Sequence, residues 1–130
     1  MYVLRVGFLP SPFRFTTCVV VMMDPKTARA VRMFLDRVPN DVRYEKALLF
    51  GSRARGDYRE DSDADVALIV DGSGHDWDLL YQLGGISFDV FADTGIRVQP
   101  VIIPLREWRD PEAAMRPSFV RNISKEGVAL

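Results

Sequence analysis

The stretch FGSRARGDYREDSDADVALIV, residues 50–70, decides how this chain folds. A Gly-Ser pair with two nearby arginines comes first, and an acidic loop then leads into Asp63-Ala64-Asp65 and an apolar run. Residues 63–70 predict a strand with apolar residues at every even position, because side chains alternate between the two faces of a strand. The odd face begins with Asp63 and Asp65 before it turns apolar, so one end of that face is predicted to be open.

The residue types in this stretch suit phosphate chemistry. Asp63 and Asp65 are predicted to lie about 7 Å apart on one strand face, where both can reach the same cation. Two bare carboxylates at that distance repel each other by roughly 2 kcal/mol at an effective dielectric of about 20, and bound magnesium would reverse that cost. Gly51 has no Cβ to block a phosphate, Ser52 offers a hydroxyl, and the arginines add charge. The stretch therefore predicts a nucleotide phosphate held through magnesium.

Two other motifs do not fit the stretch. The glycines at 51 and 56 have P-loop spacing, but Asp57-Tyr58 stands where a lysine and a serine or threonine are required. Alternate acids also begin an EF-hand calcium loop, but Val66 stands at its glycine and Gly72 at its glutamate. The remaining alternative is structural: an ordinary turn, a solvated loop and acids that protect a strand edge.

The rest of the chain alternates helix and strand patterns. Apolar residues at three- and four-residue spacing predict a helix over 25–38, and YEKALLF, 44–50, predicts a strand covered on both sides. A second helix is predicted over 77–95, a third strand over 96–105 and a short helix over 118–126. This order indicates a small α/β or α+β sheet domain.

Local predictions concern the second helix and the third strand. The Gly84-Gly85 pair weakens the helix, which suggests close backbone packing there. Pro100 favours an edge position or a bulge for the strand, since proline donates no ladder hydrogen bond. The helix is predicted to have these apolar side chains available to the core: Trp77, Leu80, Leu83, Val90 and Phe91. For its aromatic residues Trp77, Phe88 and Phe91, a partner surface is the alternative to the core.

Composition limits the class of protein. With 130 residues, 48% apolar and 27% charged, the chain is expected to form one soluble domain, and a net charge of −1 argues against a grip on long nucleic acid. The single cysteine, Cys18, excludes an internal disulfide and fits a reducing cytoplasm. Pro10, Pro12 and Arg14 interrupt the first apolar stretches, which argues against a membrane-spanning helix and a signal peptide.

The first 23 residues allow two interpretations. They either form an added strand or hairpin from Val3–Leu9 and Thr16–Val21, or are foreign to the fold, with the true start at the Met-Met pair before Asp24. Asp24 can cap the helix that follows. We expect an N-terminal extension over 1–23 and the main domain over 24–130.

The motif resembles a known family signature. Phe50-Gly51-Ser52, ten intervening residues and then Asp63-Ala64-Asp65-Val66 resemble the signature of the DNA polymerase beta-like nucleotidyltransferase superfamily, and residues 51–70 resemble its minimal nucleotidyltransferase branch. The similarity is specific over 46–70 and looser over about 24–128. It implies a small mixed sheet flanked by helices, magnesium (Mg²⁺), and transfer of a nucleoside monophosphate from a nucleoside triphosphate with release of pyrophosphate.

The resemblance also implies a partner. Members of this branch are commonly encoded beside a small helical HEPN protein, as antitoxin and toxin. We therefore expect a HEPN-type toxin partner, to which the chain adds AMP from ATP on a tyrosine, or which it neutralises by binding alone. Either mode is compatible with a homo- or hetero-oligomer. A small-molecule nucleotidyltransferase is a third hypothesis, although such enzymes need additional sequence to build an acceptor pocket.

Site residues follow from the same resemblance. Gly51 and Ser52 correspond to residues that bind the triphosphate, and Arg53 is expected to help neutralise it. Asp63 and Asp65 correspond to the catalytic carboxylates that hold magnesium. The superfamily usually supplies a third carboxylate on the third strand, where it activates the attacking hydroxyl.

Gln99 is expected at that third position. Its side-chain oxygen can touch a metal, but the amide is neutral and cannot act as a general base. Asp89 and Asp93 are candidate substitutes, although both fall on the predicted helix or its exit, where a surface role is expected. His75, in the loop before that helix, is expected to be solvated or to cap it. The sequence therefore leaves open whether the chain is active or binds without chemistry.

Overall fold

The computed structural model describes the backbone of residues 4–10, 16–72 and 76–130 and the side chains of residues 23–72 and 76–130. Strand β1, Leu4–Pro10, pairs with β2, Thr16–Met22, in antiparallel orientation. Of the two interpretations of the N-terminus, the backbone adopts the strand pair. The division into an extension over 1–23 and a domain over 24–130 stays a prediction.

A second sheet and its helices follow. The elements in chain order are α1 (Pro25–Arg37), β3 (Tyr44–Phe50), α2 (Ser52–Arg55), β4 (Ala64–Val70), α3 (Trp77–Thr94), β5 (Val98–Pro104), α4 (Leu105–Arg109), a 3-10 turn (Pro111–Ala113), α5 (Pro117–Glu126) and β6 (Val128–Ala129). The strand order is β5-β4-β3-β6, with β4 and β5 parallel and the other pairs antiparallel. The predicted fold class, a small mixed sheet flanked by helices, is confirmed.

The sheet is covered on both faces. Val66 and Leu68 of β4 belong to the core that α1 and α3 complete, whereas Ala67 and Ile69 belong to a second core with α5. All four side chains are fully buried. Because both faces of β4 are covered, its sequence reads as one continuous apolar run, and carboxylates stand only where it begins.

Helix α1 shows how the sequence sets the local structure. The carboxylate of Asp24 accepts a hydrogen bond from the Thr27 N–H at 3.0 Å, and Pro25 takes the first helical position. The helix ends before Val38, which precedes a proline and has an extended backbone. The helix predicted over 25–38 is confirmed to within one residue.

The core contribution of α3 differs from the prediction. Leu83 and Val90 are fully buried, as predicted, and Leu80 is half-buried. Trp77 is 79% exposed and Phe91 is 43% exposed, so neither is a core residue. Periodicity marks an apolar helix face, but it does not say what covers that face.

Two further predictions on this half of the chain have opposite outcomes. Pro100 lies in an edge strand, as predicted. A Cβ built on Gly84 or Gly85 meets nothing within 4 Å, so the close backbone packing predicted for this pair is wrong. Among the described residues, no helix has the length and apolar character needed to cross a membrane.

Candidate functional site

The chain reverses direction at a Gly-Ser turn where β3 ends. Gly51 has φ 74° and ψ −157°, a positive-φ conformation that favours glycine. Ser52 begins α2, and the Gly51 carbonyl accepts the N–H groups of Ala54 and Arg55 at 3.1 and 3.0 Å. The first N–H groups of a helix have no acceptor within it, so the turn offers donors of the kind that bind phosphate oxygens.

Gly51 lies directly against Asp65. Phe50 and Asp65 are opposite each other in the register of β3 and β4. A Cβ built on Gly51 would collide with Oδ2 of Asp65 and would lie 3.4 Å from its carboxyl carbon. Glycine is therefore required by the backbone conformation and by the neighbouring carboxylate. The structure thus brings the predicted Gly-Ser turn and the predicted acid together.

Asp63 and Asp65 form an acidic pair where β4 begins. Both are half-buried, Asp63 directly before the strand and Asp65 within it. Burial raises the pKa of Asp65, the negative charge of Asp63 raises it further, and the positive charge of Arg55 opposes the rise. In the described part of the chain, neither carboxylate forms an ion pair. The pair therefore carries excess negative charge that a bound cation would neutralise.

Gln99 lies next to Asp65 on the neighbouring strand. Strands β4 and β5 run parallel, and residues 65 and 99 are opposite each other in their register. Cross-strand neighbours point to the same face of a sheet, and Gln99 is exposed there. The register agrees with the predicted position of Gln99 beside the acidic pair, where its amide supplies an oxygen without a charge.

The two candidate substitutes lie elsewhere. Asp89 and Asp93 are exposed residues of α3, which covers the opposite face of the sheet from Asp65. Asp93 also pairs with Arg37 at 3.0 Å. The structure does not bring these acids to the acidic pair. His75 lies outside the described residues.

The predicted role of Arg53 in binding phosphate needs correction. Arg53 is only 6% exposed. Its Nε donates to the Ser62 carbonyl at 2.8 Å, Nη1 to Oγ1 of Thr27 at 2.9 Å, and Nη2 to the Glu60 carbonyl at 3.0 Å. The guanidinium is therefore committed to protein acceptors. Arg53 is a positioning residue that holds the loop leading to Asp63.

Arg53 belongs to a network with Asp24, Thr27 and Tyr58, which we call the Arg53 network. The buried Oγ1 of Thr27 donates to Oδ2 of Asp24 at 3.1 Å, and the Arg53 guanidinium carbon lies 4.6 Å from the centroid of the Tyr58 ring. Burial acts to raise the pKa of Asp24, but hydrogen bonds from Thr27 and Tyr58 and the charge of Arg53 lower it overall. Sequence reasoning missed this network. The helix cap at Asp24 was predictable, but no sequence pattern linked Thr27 to Arg53, which lies 26 positions away.

Arg55 stays at the surface. It pairs with Asp57 at 3.3 Å and with Glu126 at 3.2 Å, and the second contact links α2 to α5. Its positive charge also lowers the pKa of Asp65 in part. Arg55 is therefore a cation that acts on the acidic pair, whereas Arg53 is not exposed toward a ligand.

The acidic pair fits a magnesium ion that arrives with its substrate. Within the described ranges, no group of three or more His, Cys, Asp and Glu side chains is placed to hold a metal. Magnesium is usually bound through one or two carboxylates, with waters and substrate phosphates as the other ligands. Asp63 and Asp65 match this need, because burial and then the charge of Asp63 raise the pKa of Asp65, and such an ion would stabilise its ionised form.

A Gly-Ser turn therefore packs against an acidic pair at the start of a buried strand of this α/β domain. A family model described as polymerase beta, nucleotidyltransferase matches residues 36–91, which include β3, the turn, β4 and most of α3. Over this range, which is less than half of the chain, the sequence is similar to that family. The resemblance seen in the sequence is confirmed.

Two solved structures are similar to this chain. One, described as the crystal structure of the toxin-antitoxin with AMP-PNP, is 17% identical, covers 79% of this chain and 70% of that chain, and has a TM-score of 0.52. The other, a candidate nucleotidyltransferase from Sulfolobus solfataricus, is 20% identical, covers 82% and 86%, and has a TM-score of 0.43. No protein with a curated description matches the sequence. The first likeness supports the fold.

Proposed function

We propose that this chain is a magnesium-dependent nucleotidyltransferase that transfers AMP from ATP to a protein acceptor in the cytoplasm, as the antitoxin of a helical HEPN-type toxin. The observation that carries the proposal is the meeting of the Gly-Ser turn with the acidic pair. Gly51 packs against Asp65, and Asp63 adds a second negative charge beside it. The match of residues 36–91 to the nucleotidyltransferase model supports this class of reaction.

Each residue of the site has a part in the transfer. The N–H groups of the turn and the Ser52 hydroxyl bind phosphate oxygens, and Asp63 and Asp65 hold magnesium. Bound magnesium would stabilise the negative charge that develops on the phosphates. The acceptor hydroxyl attacks the α-phosphorus in line, a new O–P bond forms, and the bond to the bridging oxygen breaks as pyrophosphate leaves.

Gln99 limits the expected rate. The attacking hydroxyl must lose its proton, and a neutral amide cannot accept it. A positioned general base contributes about 10²- to 10⁴-fold. We therefore expect slow transfer, with the proton passing to solvent, and a gain in rate when Gln99 is replaced by glutamate.

The structure of the toxin-antitoxin with AMP-PNP supports the choice of ATP as the nucleotide and of a toxin as the partner. AMP-PNP is an analogue of ATP, and the protein that was solved with it has the same fold as this chain. A toxin partner and an adenine nucleotide are accordingly the first ligands to test.

A second candidate function is an antitoxin that neutralises its partner by binding alone. The observation that favours it is the neutral Gln99 beside Asp65, where a third carboxylate would otherwise stand. The Gly-Ser turn and the acidic pair would then bind a nucleotide that stabilises the complex. The two candidates predict the same partner and differ only in chemistry.

Intact-protein mass spectrometry separates them. The protein encoded beside this chain, which the proposal expects to be a helical HEPN-type toxin, is incubated with the chain, magnesium and each nucleoside triphosphate in turn. A mass gain of one AMP is expected with ATP, absent with an Asp63→Asn, Asp65→Asn variant and faster with Gln99→Glu. A stable complex without any mass gain, even with Gln99→Glu, would establish the binding-only antitoxin.

A further inference from the structure

An aromatic stripe runs along the exposed face of α3. Trp77, Tyr81 and Phe88 are 79%, 86% and 71% exposed, and Phe91 is 43% exposed. With Gly84, they follow one another at intervals of four and three residues, which places them on one side of the helix. Contiguous apolar surface of this kind marks an interaction site. We call Trp77, Tyr81, Gly84, Phe88 and Phe91 the α3 stripe.

Gly84 stands at the centre of the α3 stripe. Its backbone is helical, and a Cβ built on it meets nothing within 4 Å. Neither the conformation nor the packing of this chain therefore requires glycine, which costs a helix interior about 1 kcal/mol relative to alanine. The missing side chain leaves room for a second backbone to approach the helix closely.

We propose that a second copy of this chain binds the α3 stripe, with the two α3 helices antiparallel and a two-fold axis beside Gly84. The stripe is symmetrical about that glycine, since Trp77 and Phe91 lie seven residues to either side and Tyr81 and Phe88 three and four. Antiparallel pairing sets Trp77 of one copy against Phe91 of the other, and Tyr81 against Phe88. An interface between identical chains requires such self-complementarity. The proposal does not depend on the proposed catalytic function.

The exposed area suits such a dimer. The four aromatic side chains together expose on the order of 500–600 Å². Two copies would bury about 1,000–1,200 Å², which reaches the lower end of the range for specific interfaces. We therefore expect a dimer that dissociates at roughly micromolar concentration.

The proposed dimer would also bring the second copy to a groove beside the acidic pair. Phe91 lines a groove together with Arg59, Asp63 and Arg97, and the Arg97 guanidinium carbon lies 5.7 Å from the centroid of the Phe91 ring. Antiparallel pairing places Trp77 of the second copy against Phe91, at the edge of this groove. Each groove is then completed by an indole from the other copy, a flat surface on which a nucleotide base can stack.

Gly84→Glu tests the dimer. The variant adds a charge at the axis, where two copies would bring like charges together, and the open surroundings let the monomer accept it. Gln82→Glu is the matched control, because it adds the same charge to an exposed position of the same helix outside the stripe. Sedimentation velocity over a concentration series should show dimers of the wild type and of the control, with a dissociation constant raised at least about tenfold by Gly84→Glu.

Circular dichroism of both variants checks that the helix is intact, so that a loss of dimer reports on the interface. A wild-type chain that stays monomeric up to about 1 mM overturns the proposal and leaves the α3 stripe to a different protein. A dimer that is insensitive to Gly84→Glu overturns it as well, since its interface must then lie elsewhere.

Cysteine pairing tests the orientation. In a Cys18→Ser background, chains with Trp77→Cys are mixed with chains with Phe91→Cys and oxidised. Antiparallel pairing predicts a disulfide between the two variants and none in either variant alone, because the Cα atoms of bonded cysteines lie about 4.4–6.8 Å apart. Disulfides within each variant alone would indicate parallel helices and would overturn the shared groove. The absence of any disulfide would overturn the pairing itself.

Discussion

The charged side chains on the two sides of the connection between β3 and β4 differ in whether groups of the same chain compensate their charge. On one side, the buried guanidinium of Arg53 donates to three protein acceptors, and the pKa of Asp24 is lowered. On the other side, Asp63 and Asp65 form no ion pair with the described residues, and the pKa of Asp65 is raised by burial and by Asp63. The chain satisfies the charges of the Arg53 network and leaves those of the acidic pair in excess.

This difference is the one expected between a structural site and the proposed binding site. A charge that is neutralised within the chain stabilises the fold, whereas a half-buried pair of like charges costs stability until something outside the chain neutralises it. Substitutions in the Arg53 network should therefore change stability. Substitutions in the acidic pair should change ligand-dependent activity and leave the fold intact.

The largest effect is expected at the acidic pair. Asp63→Asn or Asp65→Asn removes one of the two charges proposed to hold magnesium, and the rate of nucleotide transfer should fall by about 1,000-fold, as when other preorganised charge-stabilising groups are lost. The measurement is the initial rate of AMP incorporation into the partner. The same variants should unfold at a denaturant concentration equal to or above that of the wild type, because repulsion is relieved. A variant that is inactive and also less stable would contradict the assignment to ligand binding.

Arg53 should show the reverse behaviour. Arg53→Ala leaves buried acceptors unpaired, including Oγ1 of Thr27, and should lower the free energy of unfolding by about 3 kcal/mol in denaturant titrations. Arg53→Lys should recover little of it, since an ammonium group cannot replace a planar guanidinium that donates in three directions.

Arg55→Ala is the matched control, two positions along the same short helix. Its ion pairs with Asp57 and Glu126 are exposed, so a loss of only about 0.5 kcal/mol is expected. Equal losses for the two alanine variants would remove the distinction between a buried positioning arginine and a surface arginine.

Arg53 and Arg55 also show how much of the site could be predicted from the sequence. The acidic pair was predictable because alternate positions of a strand share a face, and the place of Gln99 was predicted from the resemblance to the family's third strand. The burial of Arg53 was not predictable, because Arg53 and Arg55 stand in the same short SRAR segment and only contacts with α1 and the loop before β4 distinguish them.

The fold shows the same limit. Helices α1, α3 and α5 and strands β3–β5 were predicted to within a few residues, because each repeats its periodic pattern several times. Helices α2 and α4 and strand β6 are too short for such a pattern. For Trp77 and Phe91 the sequence left core and partner surface open, because an apolar helix face has the same spacing whether it packs within the chain or against another molecule.

A smaller effect is expected at Thr27, which is fully buried and connects Arg53 to Asp24. Thr27→Val keeps the shape and removes the hydroxyl, so that Nη1 of Arg53 and Oδ2 of Asp24 each lose a partner. The free energy of unfolding should fall by about 2 kcal/mol. Thr27→Ser keeps the hydroxyl and should lose about 1 kcal/mol through the missing methyl group. A larger loss for serine than for valine would show that packing, not hydrogen bonding, decides this position.

The smallest effect is a pH dependence at Asp24. Asp24→Asn keeps an equally good helix cap but removes the negative charge that faces Arg53. Because the pKa of Asp24 in the folded chain lies below its ordinary value of 3.8, the ionised carboxylate stabilises the fold above that pH, and this contribution is lost as the pH falls through the folded pKa. The wild type should therefore exceed the variant by a few tenths of a kcal/mol near neutral pH, a small value because Asp24 is partly exposed to solvent. Urea titrations at a series of pH values should show that the gap closes on acidification, whereas a gap that is constant with pH would assign it to the cap rather than to the charge.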